Sequence, residues 1–256
     1  MTLGMMFGGQ GSGGTPGGGA GLSGNYNFTL AQSKFETGPS DPGVVTPSGV
    51  ITPGNLMVVV CGERSGEDPA NHVVTDANGK TWNRISALNF DNAVSGNEGN
   101  TRMSFSVWWR VVDTTGETDL TPAIECDIGT SSVHMLWCEI SADSAYNWNF
   151  SAGTVAGSGA SDWNGQSSGS TTSSGNDIFE LAIAMCRCDG TNEPSASLVA
   201  FSTQTDGYAE VIGGPNQMTA AMAFEAVSQA SGSMSATITS DGSGNEGVVA
   251  IATWSD

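Results

Sequence analysis

Between residues 102 and 112 the sequence alternates strictly. Met103, Phe105, Val107, Trp109 and Val111 fall on one set of positions; Arg102, Ser104, Ser106 and Arg110 fall on the other, with Trp108 among them. A repeat of two is the repeat of an extended chain, whose successive side chains point to opposite faces. A helix repeats every 3.6 residues and cannot separate these two sets. The segment therefore reads as a half-buried antiparallel strand with its polar face toward solvent. Residues 56–61, LMVVVC between Gly54 and Gly62, form a continuous apolar run of strand length rich in β-branched residues, and read as a fully buried strand.

The rest of the chain repeats this grammar. Lysine, a good helix former, occurs only at Lys34 and Lys80, whereas glycine occurs 36 times. Tyr26, Phe28 and Leu30 alternate with Asn27 and Thr29. Prolines 39, 42, 47 and 53 exclude a central strand from residues 37–54 and leave an edge strand or a strap over the surface. Asn78-Gly79 predicts a hairpin joining residue 75 to a strand over 81–85, with Trp82 inward. Further strands are expected over 120–128 and 133–140, joined by a Gly-Thr-Ser-Ser turn, and over 148–155. Residues 157–175 read as a long loop. Strands over 178–188, 196–203, 208–212, 218–227, 234–239 and 248–254 complete the set, the last three in a meander-like rhythm.

About a dozen short strands with frequent turns imply an all-β fold, an antiparallel β-sandwich resembling a jelly roll. Residues 1–24 form a glycine-rich extended N-terminal arm with no run able to bury itself. Residues 25–54 are a strand plus the Pro/Gly-rich strap, and 55–256 the sandwich domain.

Charge excludes several partners. The net charge is −19, with seven Lys and Arg. Nucleic-acid binding depends on basic side chains that neutralise phosphates, so no nucleic-acid partner is expected. No stretch has the length and apolarity of a membrane-spanning helix, so no membrane insertion is expected. No basic residue precedes Lys34, so no signal peptide is expected and synthesis is placed in a host cytoplasm. Cys61, Cys126, Cys138, Cys186 and Cys188 are odd in number and lie mostly in apolar runs. They read as buried free thiols.

The chemistry-bearing residues are few. His72 and His134 are the two histidines, and no serine stands in a nucleophile elbow. Glu125, Asp127 and Glu139 lie on neighbouring predicted strands, and Glu125 and Glu139 could face each other as a glycosidase pair; a solvated face of an acidic protein accounts for them more simply. Cys186 and Cys188 share a strand face but have no further zinc ligands at suitable spacing. The segment 241–247 places oxygen-bearing side chains on alternate residues, faintly like a calcium loop, yet lacks the bidentate acid that closes one. No catalytic residue, cofactor or metal is therefore assigned. Tyr146, Trp148 and Trp163 flank the glycine-rich loop, where exposed aromatics could stack on a sugar ring.

Three segments in order, PGNLMVVVCGE (53–63), VVTDANGKTWNRI (73–85) and MSFSVWWRVVDTTGET (103–118), resemble tailed-bacteriophage and prophage virion structural proteins. In that family a Gly-Asp-Leu-Leu-Val strand precedes an Asp-xx-Gly-xx-Trp hairpin and a Trp-Lys-Val-Ala strand; here Asn55 replaces the Asp and Arg110 the Lys. The resemblance implies a virion β-sandwich and carries over no catalytic residue. The expected function is a non-enzymatic protein on the particle surface, a capsid decoration protein anchored by its arm. Its partners would be major capsid or tail proteins and copies of itself. The alternatives are a tail-associated or fibre module that binds a receptor or a cell-surface glycan, and, more remotely, a polysaccharide-degrading jelly roll.

Overall fold

The computed structural model describes residues 26–37, 42–63, 69–91, 104–129, 133–158, 178–187, 197–199, 206–210, 218–227, 237–239 and 246–256. The arm over 1–24, Arg102, Met103, Trp163, Cys188 and the 241–245 part of the calcium-like loop lie outside these residues. The described strands are β1 (Phe28–Thr37), β2 (Gly43–Val45), β3 (Leu56–Glu63), β4 (Val73–Asp76), β5 (Asn83–Arg84), β6 (Phe90–Asp91), β7 (Ser104–Val111), β8 (Ile124–Asp127), β9 (Val133–Ala142), β10 (Asn149–Ser158), β11 (Ile178–Arg187), β12 (Ser197–Val199), β13 (Asp206–Glu210), β14 (Met218–Val227), β15 (Thr237–Thr239) and β16 (Glu246–Ser255). Two short 3-10 turns, Pro69–Asn71 and Ser86–Leu88, are the only helical elements among the described residues. The fold is all-β, and every strand pairing is antiparallel.

A middle sheet runs β1-β9-β3-β7-β5, with β6 also on β7. One outer sheet is β2-β8-β4, the other is β10-β16-β11-β14-β13, and β12 pairs with β15. The middle sheet is apolar on both faces, and alternation assigns its residues to two cores. Leu56, Val58, Val60, Phe105, Val107, Leu136 and Ile140 meet Phe179, Leu181, Ile183, Val248 and Trp254 of the β10–β16 sheet. Met57, Val59, Cys61, Trp108, Met135 and Trp137 meet Val45, Val74, Ile124 and Cys126 of the β2-β8-β4 sheet. Strand β3, buried at all eight positions, lies at the centre of both cores. Each of its large apolar side chains contributes about 1.5–3 kcal/mol by leaving water.

Several sequence expectations change here. The supposed solvent face of the 102–112 strand is buried: Ser104, Ser106, Trp108 and Arg110 all face the second core. Asn78-Gly79 does make a turn, with Gly79 at φ 66° and its N–H donating to Asp76 O at 2.9 Å. It joins no hairpin, because β4 pairs with β8 whereas β5 pairs with β7 in another sheet. Likewise β8 and β9 enter different sheets. The last strands are not a meander: β14 and β16 both pair with β11. The strap contributes β2, an edge strand as its prolines require. Trp82 is buried, as expected. Cys61, Cys126 and Cys138 are buried, and burial pushes the Cys138 thiol up to about 12, with Glu139 adding to the rise.

Candidate functional site

Polar side chains in the second core need partners, because a buried charge without one costs several kcal/mol. They find them at the two ends of β4. At one end Arg110 on β7 lies between two carboxylates. Its Nε is 3.0 Å from Asp76 Oδ2, and Nη1 donates to Glu117 Oε1 at 2.6 Å. Its guanidinium also stacks over the Trp82 ring at 5.4 Å. The Trp82 indole N–H donates to Asp76 Oδ2, while Asp76 Oδ1 accepts the backbone N–H groups of Asn78 and Lys80. One carboxylate thus shapes the turn and joins two sheets.

At the other end, His72 precedes β4. The Trp108 indole, which can only donate, gives its proton to Ser106 Oγ at 3.0 Å. Ser106 Oγ lies 2.8 Å from His72 Nδ1, His72 Nε2 lies 3.1 Å from Ser104 Oγ, and Ser104 donates to Glu63 Oε1 at 3.2 Å. The arrangement that uses each of these protons once runs from indole to carboxylate through a neutral imidazole protonated on Nε2. A Ser-His-acid hydrolase has the histidine between acid and nucleophile. Here Ser104 stands between Glu63 and His72, and all five side chains of the relay are buried. The relay fastens β4 to the middle sheet.

Glu139 does not face Glu125. It is buried on β9 in the middle sheet, whereas Glu125 is exposed on β8. Glu139 accepts from Thr52 N at 2.7 Å, Asn55 Nδ2 at 2.7 Å and Gln32 Nε2 at 2.6 Å, and so ties the strap to the sheet. The carboxylate pair on which a glycosidase reading rested is not formed. Cys186 lies on β11, paired with Thr219 and Gly247. No group of His, Cys, Asp and Glu that could hold a metal occurs among the described residues.

Tyr146 and Trp148 are core residues, 8% and 5% exposed, and do not offer a free face to a sugar ring. They belong to a run of aromatic contacts where the chain leaves the arm. Tyr26 meets Tyr146 at 4.9 Å, Tyr146 meets Trp148 at 4.6 Å, Trp148 meets Phe179 at 5.3 Å and Phe179 meets Trp254 at 5.8 Å. Each such pair adds about 0.5–1.5 kcal/mol beyond burial. Hydrogen bonds fix the run: Tyr146 O–H donates to Trp254 O, Trp148 Nε1 to Gly54 O, and Tyr26 O–H to Asp256 Oδ2 at 2.8 Å. The Tyr26 hydroxyl, helped by Asn147, holds the Asp256 carboxyl below the usual range, and hydrogen bonds from Asn27 do the same for Asp143.

Two clefts border this region. One, of about 490 Å³, lies between the Gly79–Asn83 segment and the end of β7, with Trp148 as a wall. The other, of about 580 Å³, lies between the strap at Thr52–Asn55 and residues 141–147, with Tyr146 in its lining. The sequence pointed to these aromatics through their place beside the loop. It did not reveal the polar clusters, whose members are scattered over residues 63 to 117. The usable signal was Trp108, a large apolar residue on a face read as polar.

Comparison with protein-family models, with curated proteins and with solved structures finds no match.

Proposed function

We propose that this chain is a non-enzymatic structural protein of a virus-like particle surface, a head decoration protein whose N-terminal arm docks on the shell while the sandwich projects outward. The observation that carries the reading is the fastening of the arm's root. Tyr26, two residues past the glycine-rich segment, is held by its hydroxyl to Asp256 and by its ring to Tyr146 and Phe28. From there β1 pairs with β9 along nearly its whole length, so tension on the arm is spread over many hydrogen bonds of the middle sheet. A second support is charge. At −19, the body is repelled by packaged nucleic acid and stays outside it. The resemblance of residues 53–118 to phage virion proteins points the same way.

The test is made on purified particles from the producing cell. Quantitative mass spectrometry should find the chain at a copy number near that of the major shell protein. A handful of copies per particle would move it to the tail, and its absence from particles would overturn the proposal. Deleting residues 1–24 should abolish incorporation while the thermal melt of the body stays unchanged.

A further inference from the structure

We propose that the cleft beside the Asn78-Gly79 turn binds a neutral saccharide unit. Strand β5 is only two residues long and pairs with Trp109 and Trp108. The following part of β7 is therefore left without a strand on that side and floors the cleft with Val111. Trp109 is half-buried there, and Trp254 meets its ring nearly at right angles, 6.1 Å away, which fixes its orientation. Trp148 closes one side.

The polar lining includes Lys80, Thr81, Asn83 and Asp113, with Lys80 Nζ 2.7 Å from Asp113 Oδ2. Arg110 also reaches the lining, but it is buried between two carboxylates, Asp76 and Glu117, which more than offset its charge. The exposed charges of the cleft are thus one ammonium and one carboxylate paired with each other, on a protein of −19. An anionic ligand would meet the repulsion of the whole molecule, and a cationic one would find the exposed carboxylate, Asp113, already paired with Lys80. A sugar hydroxyl both donates and accepts, and meets the Lys80–Asp113 pair and the Asn83 amide on equal terms. The C–H face of a pyranose ring suits the indole of Trp109. A cleft of about 490 Å³ is within the roughly 300–1,000 Å³ of small-ligand sites. The platform is Trp109, with the buried Trp148 as its wall. This site does not depend on the decoration reading.

The experiment titrates the full chain with neutral oligosaccharides of hexose, N-acetylhexosamine and 6-deoxyhexose units, followed by calorimetry and tryptophan fluorescence. At least one should bind saturably, with a millimolar or tighter Kd and a change in emission. The Asn83→Ala/Asp113→Asn variant should melt as the parent does and bind about tenfold more weakly, as the loss of one or two hydrogen bonds requires. Three outcomes would overturn the proposal: no neutral oligosaccharide binding at millimolar concentration, binding untouched by the double variant, or stronger binding of a sulfated oligosaccharide than of its neutral parent.

Discussion

A guanidinium held between two carboxylates inside a protein is stable only while all three groups are present. Arg110 and Glu117 are nearly excluded from solvent and Asp76 fully so, at 4%, 3% and 0% side-chain exposure. Removing the cation leaves two buried anions facing each other. Arg110→Ala should therefore lose about 3–5 kcal/mol of stability in urea denaturation. Lys80→Ala removes an ion pair at the surface and should cost less than about 1 kcal/mol in the same measurement. Equal losses would mean that the Arg110 cluster is far better hydrated than its burial indicates. None of this was legible residue by residue. Arg110 sits at a polar position of a strand that reads as half-solvated, and its partners come from other segments. Sequence periodicity reports that a face is polar; it cannot report that a second sheet covers that face.

The strands themselves were largely legible, because each carries its own pattern. Residues 56–61 and 102–112 were recognisable from apolar runs and alternation alone, and β3 and β7 follow them closely. Pairing was legible only in part. Asn78-Gly79 fixes a turn, but whether the next strand returns beside the first or crosses to another sheet depends on packing far away in sequence. The edges show what packing demands. Strand β1 is an edge of the middle sheet, and it carries a bulge at Leu30/Gln32 and the charged pair Lys34–Glu36, both of which discourage pairing with another chain. Strand β2 lies so close to β9 that a Cβ on Gly43 would meet Val133 Cβ at 2.7 Å and Cγ1 at 2.9 Å. Val133 Cβ is fixed by the β9 backbone and cannot swing away. Gly43→Ala should destabilise by about 1–3 kcal/mol, lowering the urea midpoint without changing the slope.

Among the described strands, the alternation of chain between sheets gives three stacked layers, two built by β1–β9 and the third by β10, β11, β13, β14 and β16. The middle and third layers are joined near the arm's root by the Tyr26–Asp256 hydrogen bond, and acid should weaken that corner. Asp256 and Asp143 have carboxyls held below their ordinary values when folded. Their contribution is full above the unfolded value of about 3.9 and is lost as pH falls through the lowered folded values. Tyr26→Phe should raise the Asp256 side-chain pKa, measured by its carboxyl chemical shift. An unchanged value would show that the Tyr26 hydroxyl does not hold the carboxylate.

The position of β3 also bears on how the chain is made. Its two neighbours, β7 and β9, begin at Ser104 and Val133, so its second flank is synthesised only about 70 residues after Glu63. At the ~5–20 residues per second of translation, the nascent chain carries an eight-residue, largely apolar segment with at least one flank unpaired for roughly 4–14 seconds. That interval is long compared with hydrophobic collapse and strand association. The ribosome-bound chain thus passes through a stage in which its most buried strand is its stickiest, and crowded polysomes or fast induction should convert that stage into inclusion bodies more readily than any instability of the finished protein.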